Sequence, residues 1–293
     1  MSGIYKIVEK RKIWFTISLI IIVIGIFTMA TKGLEYGLDF KGGTIIEINL
    51  GTDFNKADVD NIIKKYSSDF QSNKANDKSI TIKATSLTNN EVSGIIKNVK
   101  AKYKKSSVTN QENIGAVIGK ETRVKALEAL VIAIAAMFIY IGIRFEFSFG
   151  IAAIISLVHN VLVMLSVYAV LRVSIDSNFI AAALTVIGYS IHDTIVVFDR
   201  IRENRKYMRR ADPIIVADAS VTQTLARSIN TVLTVVITLT SVYVLVPSVR
   251  VFSEPILIGV ITGCYSSICI ASPSWVLIKR HMLKKGKKSR EVT

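Results

Sequence analysis

Hydrophobic and polar positions along the chain follow two different patterns. Six long runs carry almost no charge, and a polar stretch between the first two of them alternates on a shorter period. The runs cover 13–30, 124–143, 148–171, 177–199, 228–246 and 255–278. Each holds roughly 18–24 residues, enough for a helix rising 1.5 Å per residue to cross about 30 Å of hydrocarbon. They predict six transmembrane helices. The first run follows a basic start (Lys6, Lys10, Arg11, Lys12), as a secretion signal does. Its apolar stretch is too long for a signal and no A-x-A site follows, so we read it as a retained span.

The polar stretch, 31–122, is the one segment long enough to form a domain outside the bilayer. Positions 43–50 alternate like a strand, and 56–66 has helical spacing with Asn55 as its cap. A second strand is predicted over 79–84. A second amphipathic helix follows over 89–103, with Val92, Ile95, Ile96 and Val99 on one face, and a last short strand lies near Val108. The order β-α-β-α-β predicts a small two-layer α+β domain of ferredoxin-like type, able to bury a modest core. The stretch contains no His or Cys, so binding or mechanical coupling is expected of it rather than catalysis. The predicted organisation is a segment 1–12, a span 13–30, the α+β domain 31–122, a five-span bundle 124–278 and a basic tail 279–293.

Composition supports this class: 51% of residues are hydrophobic and the mean hydropathy is +0.44. Charge then sets an orientation. With the N-terminus in the cytoplasm, the inside segments 1–12, 144–147, 200–227 and 279–293 hold 19 of the 37 Lys and Arg residues. The two short outside loops hold only Arg172 and Arg250. That asymmetry places both termini in the cytoplasm. The formal charge of +15 is therefore topological, and its basic clusters suit anionic lipid headgroups. Nucleic acid is not expected as a partner, because no aromatic residues are interleaved to stack on bases. Asp199, Arg200, Arg202 and Glu203 read as a solvated helix end with i,i+3 and i,i+4 pairs. The two cysteines, Cys264 and Cys269, share one apolar run and read as packed thiols.

Ionisable groups inside a span are costly and usually functional. Asp193 lies in the fourth run, about 21 Å along the helix from Phe179 at 1.5 Å per residue. Ser190, Thr194 and Val197 share its face, while His192 points elsewhere. His159 and Asn160 sit midway along the third run, and Arg227 opens the fifth. Burial and a neighbouring guanidinium act in opposite senses on a carboxyl group's proton affinity. A moving Arg227 would then make Asp193 a switchable carrier; a static Asp193–Arg227 pair that only fixes packing is the other reading. His159 and Asn160 serve either as a relay or as interhelical polar contacts. Gly259 and Gly263 form a G-x-x-x-G pair for close helix approach. No Walker A, GxSxG, HExxH or metal-ligand spacing occurs in the sequence. An enzyme, a cofactor and a bound metal are all unexpected, and an ion gradient is the remaining energy source.

Four stretches together resemble the SecD/SecF family of bacterial protein-export membrane proteins, on its SecF side. They are YGLDFKGGT (36–44), GYSIHDTIVVFDRIREN (188–204), LARSINT (225–231) and GCYSSI (263–268). The resemblance implies a half-transporter of RND type that pairs with SecD and associates with the SecYEG channel. Such a unit uses proton or sodium flux to pull unfolded exported polypeptides across the bacterial cell membrane. It also implies that Asp193 and Arg227 couple ions, and it marks Gly37, Asp39, Phe40, Gly42 and Gly43 as a motif after the first span. Where the family commonly has Asn before the key acid, this chain has His192. Where the family's third span commonly reads His-Asp, this chain has His159-Asn160. Two other classes remain: a stand-alone exporter of small molecules or lipids, and a purely structural membrane subunit.

Overall fold

All six apolar runs become helices, and most of the helices outrun them. The structure is a computed structural model describing residues 3–85 and 87–290. The first long helix is α1 (Arg11–Lys32), and a short α2 (Leu38–Lys41) leads into the polar domain. The domain runs β1 (Gly43–Asn49), α3 (Lys56–Ile63), β2 (Phe70–Asn76), β3 (Ser79–Ala84), α4 (Asn89–Lys102) and β4 (Ser107–Ile114). Four long helices follow: α5 (Ala116–Arg144), α6 (Phe147–Leu171), α7 (Ser177–Tyr207) and α8 (Pro213–Leu245). A 3-10 turn (Pro247–Val249) then enters α9 (Arg250–Ser266), which continues through a π-helical turn (Ser267–Ala271) into α10 (Ser272–Arg290). Counting that last composite once, six helices among the described residues are long and apolar enough to cross a membrane.

The domain's sheet has the order β2-β3-β1-β4 with every pairing antiparallel. Its β-α-β-β-α-β order is the ferredoxin-like one, with one strand more than the sequence pattern predicts. The extra strand is β2 (FQSNKAN), of which only Ser72 is fully buried. An outer strand buries little of either face, so it lacks the alternation that marks β1 and β3. Helices α3 and α4 cover one face, closing a core of Ile46, Ile48, Val59, Ile63, Ile80, Ile82, Val92, Ile95 and Val99. The Asn55 side chain accepts from the Ala57 amide at 3.0 Å, capping α3. Thr88 and Glu91 form a reciprocal capping box at α4.

Within the bundle α6, α7 and the α9–α10 composite are the most buried, while α1, α5 and the apolar part of α8 leave wide apolar faces exposed. The polar stretch between the fourth and fifth runs is mostly the continuation of α7 and the start of α8, not a loop. Polar contacts hold these extensions together. Asn204 Nδ2 donates to Ser220 Oγ at 2.9 Å and to Gln223 Oε1 at 2.8 Å, and Arg200 Nε donates to the same Gln223 oxygen at 2.6 Å. Arg200 pairs with Glu203 at 2.6 Å and Arg202 with Asp199 at 3.9 Å, both i,i+3. In the α5–α6 turn, Glu146 sits between Arg205 and Lys279, 2.9 Å from each. Burial pushes the Glu146 carboxyl up, but those two cations outweigh it and hold it below its ordinary range. The buried Asp218 accepts from the amides of Val8 (2.7 Å) and Glu9 (3.3 Å), fastening the chain's first turn to α8.

Candidate ion-coupling site

Asp193 is 8% exposed, on the face of α7 that also buries Ser190, Thr194 and Val197. Ser228 Oγ of α8 donates to Asp193 Oδ1 at 2.6 Å, and Oδ2 has no partner among the described residues. The expected Asp193–Arg227 ion pair is not formed: among the described residues the salt bridges do not include it, and Arg227 is exposed. The reason is helical geometry. Neighbours on a helix of 3.6 residues per turn stand about 100° apart, so only one of Arg227 and Ser228 faces Asp193.

At the next residue, Thr194 Oγ1 donates to the Ser190 carbonyl at 3.0 Å and lies 2.7 Å from Ser267 Oγ. Ser267 Oγ also donates to the Ser190 carbonyl at 3.3 Å. The π-helical turn is thereby stitched to α7 beside the acid. The turn has a local cause: Pro273 has no N–H for the carbonyl four residues back and its ring crowds that carbonyl. The Ser272 hydroxyl donates five residues back, to the Ser267 carbonyl at 3.3 Å.

Asn160 is an interhelical contact. It accepts from Thr262 Oγ1 and donates from Nδ2 to the Gly259 carbonyl at 3.4 Å. The two glycines explain how close α9 comes. A Cβ on Gly259 would strike Val186 and Met164, and one on Gly263 would lie 3.2 Å from Ser190 Cβ. His159 faces another seam: its ring lies 5.9 Å from that of Tyr265. Tyr265 in turn donates to the Trp14 carbonyl at 2.8 Å and lies 3.0 Å from Ser18 Oγ. Neither His159 nitrogen has a partner among the described residues. His192 is exposed, away from Asp193. Among the described residues Asp193 therefore hydrogen-bonds Ser228, shares its helix face with Ser190 and Thr194, and makes no hydrogen bond or salt bridge to His159, His192 or Arg227.

The motif after α1 mounts the domain on the bundle. The Gly37 amide donates to the Ile175 carbonyl, and the Ile175 amide to the Glu35 carbonyl, each at 2.7 Å. A Cβ on Gly37 would lie 2.8 Å from Asp176 Cβ. Phe40 is buried among Met164, Tyr168, Ile175 and Phe179. Gly42 and Gly43 adopt φ of +82° and +147°, a turn that leads from α2 into β1. Asp39 Oδ2 accepts from the Ser177 amide at 3.0 Å, and Asp176 caps the same helix through the Phe179 amide at 3.0 Å. Two carboxylates thus stand at the positive end of α7. Asp193 is about 24 Å further along that helix.

Sequence reasoning missed Ser228, Ser267 and Asp218. A serine directly after Arg227 carries no signal beyond its position, and a buried acid within a charged stretch looks solvated.

These features define a polytopic helical membrane protein with a ferredoxin-like domain clamped to the helix that carries a buried acid. Two family descriptions match the chain: "Protein export membrane protein SecD/SecF, C-terminal" over residues 94–281 and "SecD/SecF GG Motif" over 27–54. It is 34% identical to the protein translocase subunit SecF of Sebaldella termitidis, over 98% of this chain and 97% of that one. It is 36% identical to the translocase subunit SecDF of Bacillus subtilis, over 94% of this chain and 38% of that one. The crystal structure of SecDF from Thermus thermophilus superimposes with a TM-score of 0.82 at 27% identity, covering 95% of this chain and 39% of that longer one. The chain belongs to the SecD/SecF family of protein-export membrane proteins, and the Sebaldella relative it matches over nearly its full length is a SecF subunit. Those relatives work in transport rather than catalysis, and the SecDF relatives support association with SecD.

Proposed function

We propose that the chain is an ion-gradient-driven accessory subunit of protein translocation that works with SecD beside the SecYEG channel. Unfolded exported polypeptide is the load, and the proton or sodium gradient supplies the work. Both termini lie in the cytoplasm and the ferredoxin-like domain lies outside. The observation that carries this reading is the Asp193 carboxyl, buried in a span with a single serine partner and one oxygen free to take a cation. The loaded, neutral carboxyl keeps the Ser228 hydroxyl, and release of the cation leaves a carboxylate that attracts a guanidinium. Arg227 is the adjacent residue, so a rotation of α8 by about 100° then exchanges the Ser228 hydroxyl for the guanidinium. A shift of α7 then reaches the domain through Asp39 and Ser177.

The test uses vesicles holding this chain, its SecD partner and the channel, with proton and sodium gradients imposed separately. Asp193→Asn is expected to assemble normally and to lose gradient-stimulated export while ATP-driven export persists. Unchanged stimulation in that variant would remove Asp193 from the mechanism.

A further inference from the structure

An apolar groove opens on the bundle's flank beneath the domain, far from Asp193. It measures about 410 Å³ and lies between α5, α6 and the start of α7, with Tyr36 and Phe40 of the domain's mounting segment as its roof. That volume falls within the range of small-molecule and cofactor pockets, about 300–1,000 Å³. Leu127 on its lip is 64% exposed and Val124 48%, so the groove faces sideways, where a bilayer would be, rather than inward. Its inner wall includes Val161, Leu165 and Phe179.

The rim carries one cation at the end where the apolar run of α5 begins. Arg123 lies over the Tyr36 ring, 5.3 Å from its centroid. Among the described residues it makes neither a salt bridge nor a hydrogen bond, although Lys125, two positions on, pairs with Glu121 at 2.7 Å. A guanidinium at interface height above an apolar slot matches the two ends of a phospholipid. We propose that this groove binds one acyl chain of an anionic phospholipid from the leaflet on the domain's side, with the lipid phosphate on Arg123. The bound tail packs against Phe40 and Tyr36, the segment that clamps the domain to the bundle. Lipid headgroup charge is thereby read at the mount of the moving part.

The full chain, reconstituted in nanodiscs of equal phosphatidylglycerol and phosphatidylcholine and released for native mass spectrometry, tests this. The wild type is expected to retain one phosphatidylglycerol in preference to phosphatidylcholine. Arg123→Gln removes the charge from the exposed rim while keeping a polar side chain near Tyr36; it should lower that preference about five-fold, the effect of one interfacial charge. Ala126→Phe fills the slot and should remove the retained lipid of either kind. Equal retention of both lipids by the wild type, or no change in preference with Arg123→Gln, would overturn the proposal. So would a photo-crosslinking residue at position 127 that captures a protein segment instead of lipid.

Discussion

Gly43→Ala is the substitution whose cost the structure lets us work out most directly. Gly43 opens β1 with φ +147°, a region costing an L-residue about 1–3 kcal/mol. The new methyl would also lie 2.5 Å from the Ala84 carbonyl oxygen and 2.8 Å from Leu38 Cδ2. Ala84 is held in register opposite Thr44 by the β1–β3 ladder, so relief requires moving backbone, and overpacking adds about 1–3 kcal/mol. The sum is about 2–6 kcal/mol, a large part of what a domain this small has at about 0.05–0.15 kcal/mol per residue. Two glycines serve as controls. Gly33 has φ +68° but open space around it, so Ala there carries strain alone. Gly115 has φ −63° and open space, so Ala there is close to neutral. The assay is amide hydrogen exchange in the full chain in nanodiscs, read at Ile46 and Ile48. Gly43→Ala should speed exchange there by at least about thirty-fold, at tenfold per 1.4 kcal/mol. Exchange no faster than in Gly115→Ala would refute the steric reasoning.

Two further outcomes are expected. Gly259→Leu should separate α9 from α7 and lower the thermal midpoint of the bundle through overpacking against Val186 and Met164, a cost of about 1–3 kcal/mol, measurable by thermal unfolding in detergent. Glu146, held below its ordinary value of 4.5 against burial by Lys279 and Arg205, contributes stability that is full above that value. The contribution is lost as pH falls through the lower folded value. Glu146→Gln should therefore flatten the loss of stability below about pH 4.5, and because the side chain is half exposed the effect stays under about 1 kcal/mol. Unfolding midpoints measured from pH 7 down to 3 decide it.

Much of this architecture is written in the apolar runs. Their length and lack of charge identify all six crossing helices, because lipid leaves the backbone no other way to satisfy itself. The ends of the helices are less legible. Hydropathy stops at Asp199, but α7 continues to Tyr207 because Asn204 and Arg205 find partners on α8 and in the α5–α6 turn. Strand β2 is hidden for a related reason: its ladder bonds are backbone bonds, which leave no trace in a polar outer strand. At the site, the buried acid is visible from its cost alone, but its partner is not. Whether Arg227 or Ser228 meets Asp193 depends on helix rotation, which no spacing rule fixes. Likewise, the adjacent His159 and Asn160 point into different seams, one toward Tyr265 and the other toward Thr262.

The most direct measurement is infrared difference spectroscopy on the chain and its partner in vesicles, recorded as an ion gradient is imposed and collapsed. A proton gradient should make a carboxyl carbonyl band appear and vanish, and a sodium gradient should instead shift the carboxylate bands; whichever signal moves should shift in Ser228→Ala, because its hydrogen bond is gone, and be absent from Asp193→Asn. A spectrum that stays still as the gradient changes, or a moving band that survives in Asp193→Asn, would contradict the account.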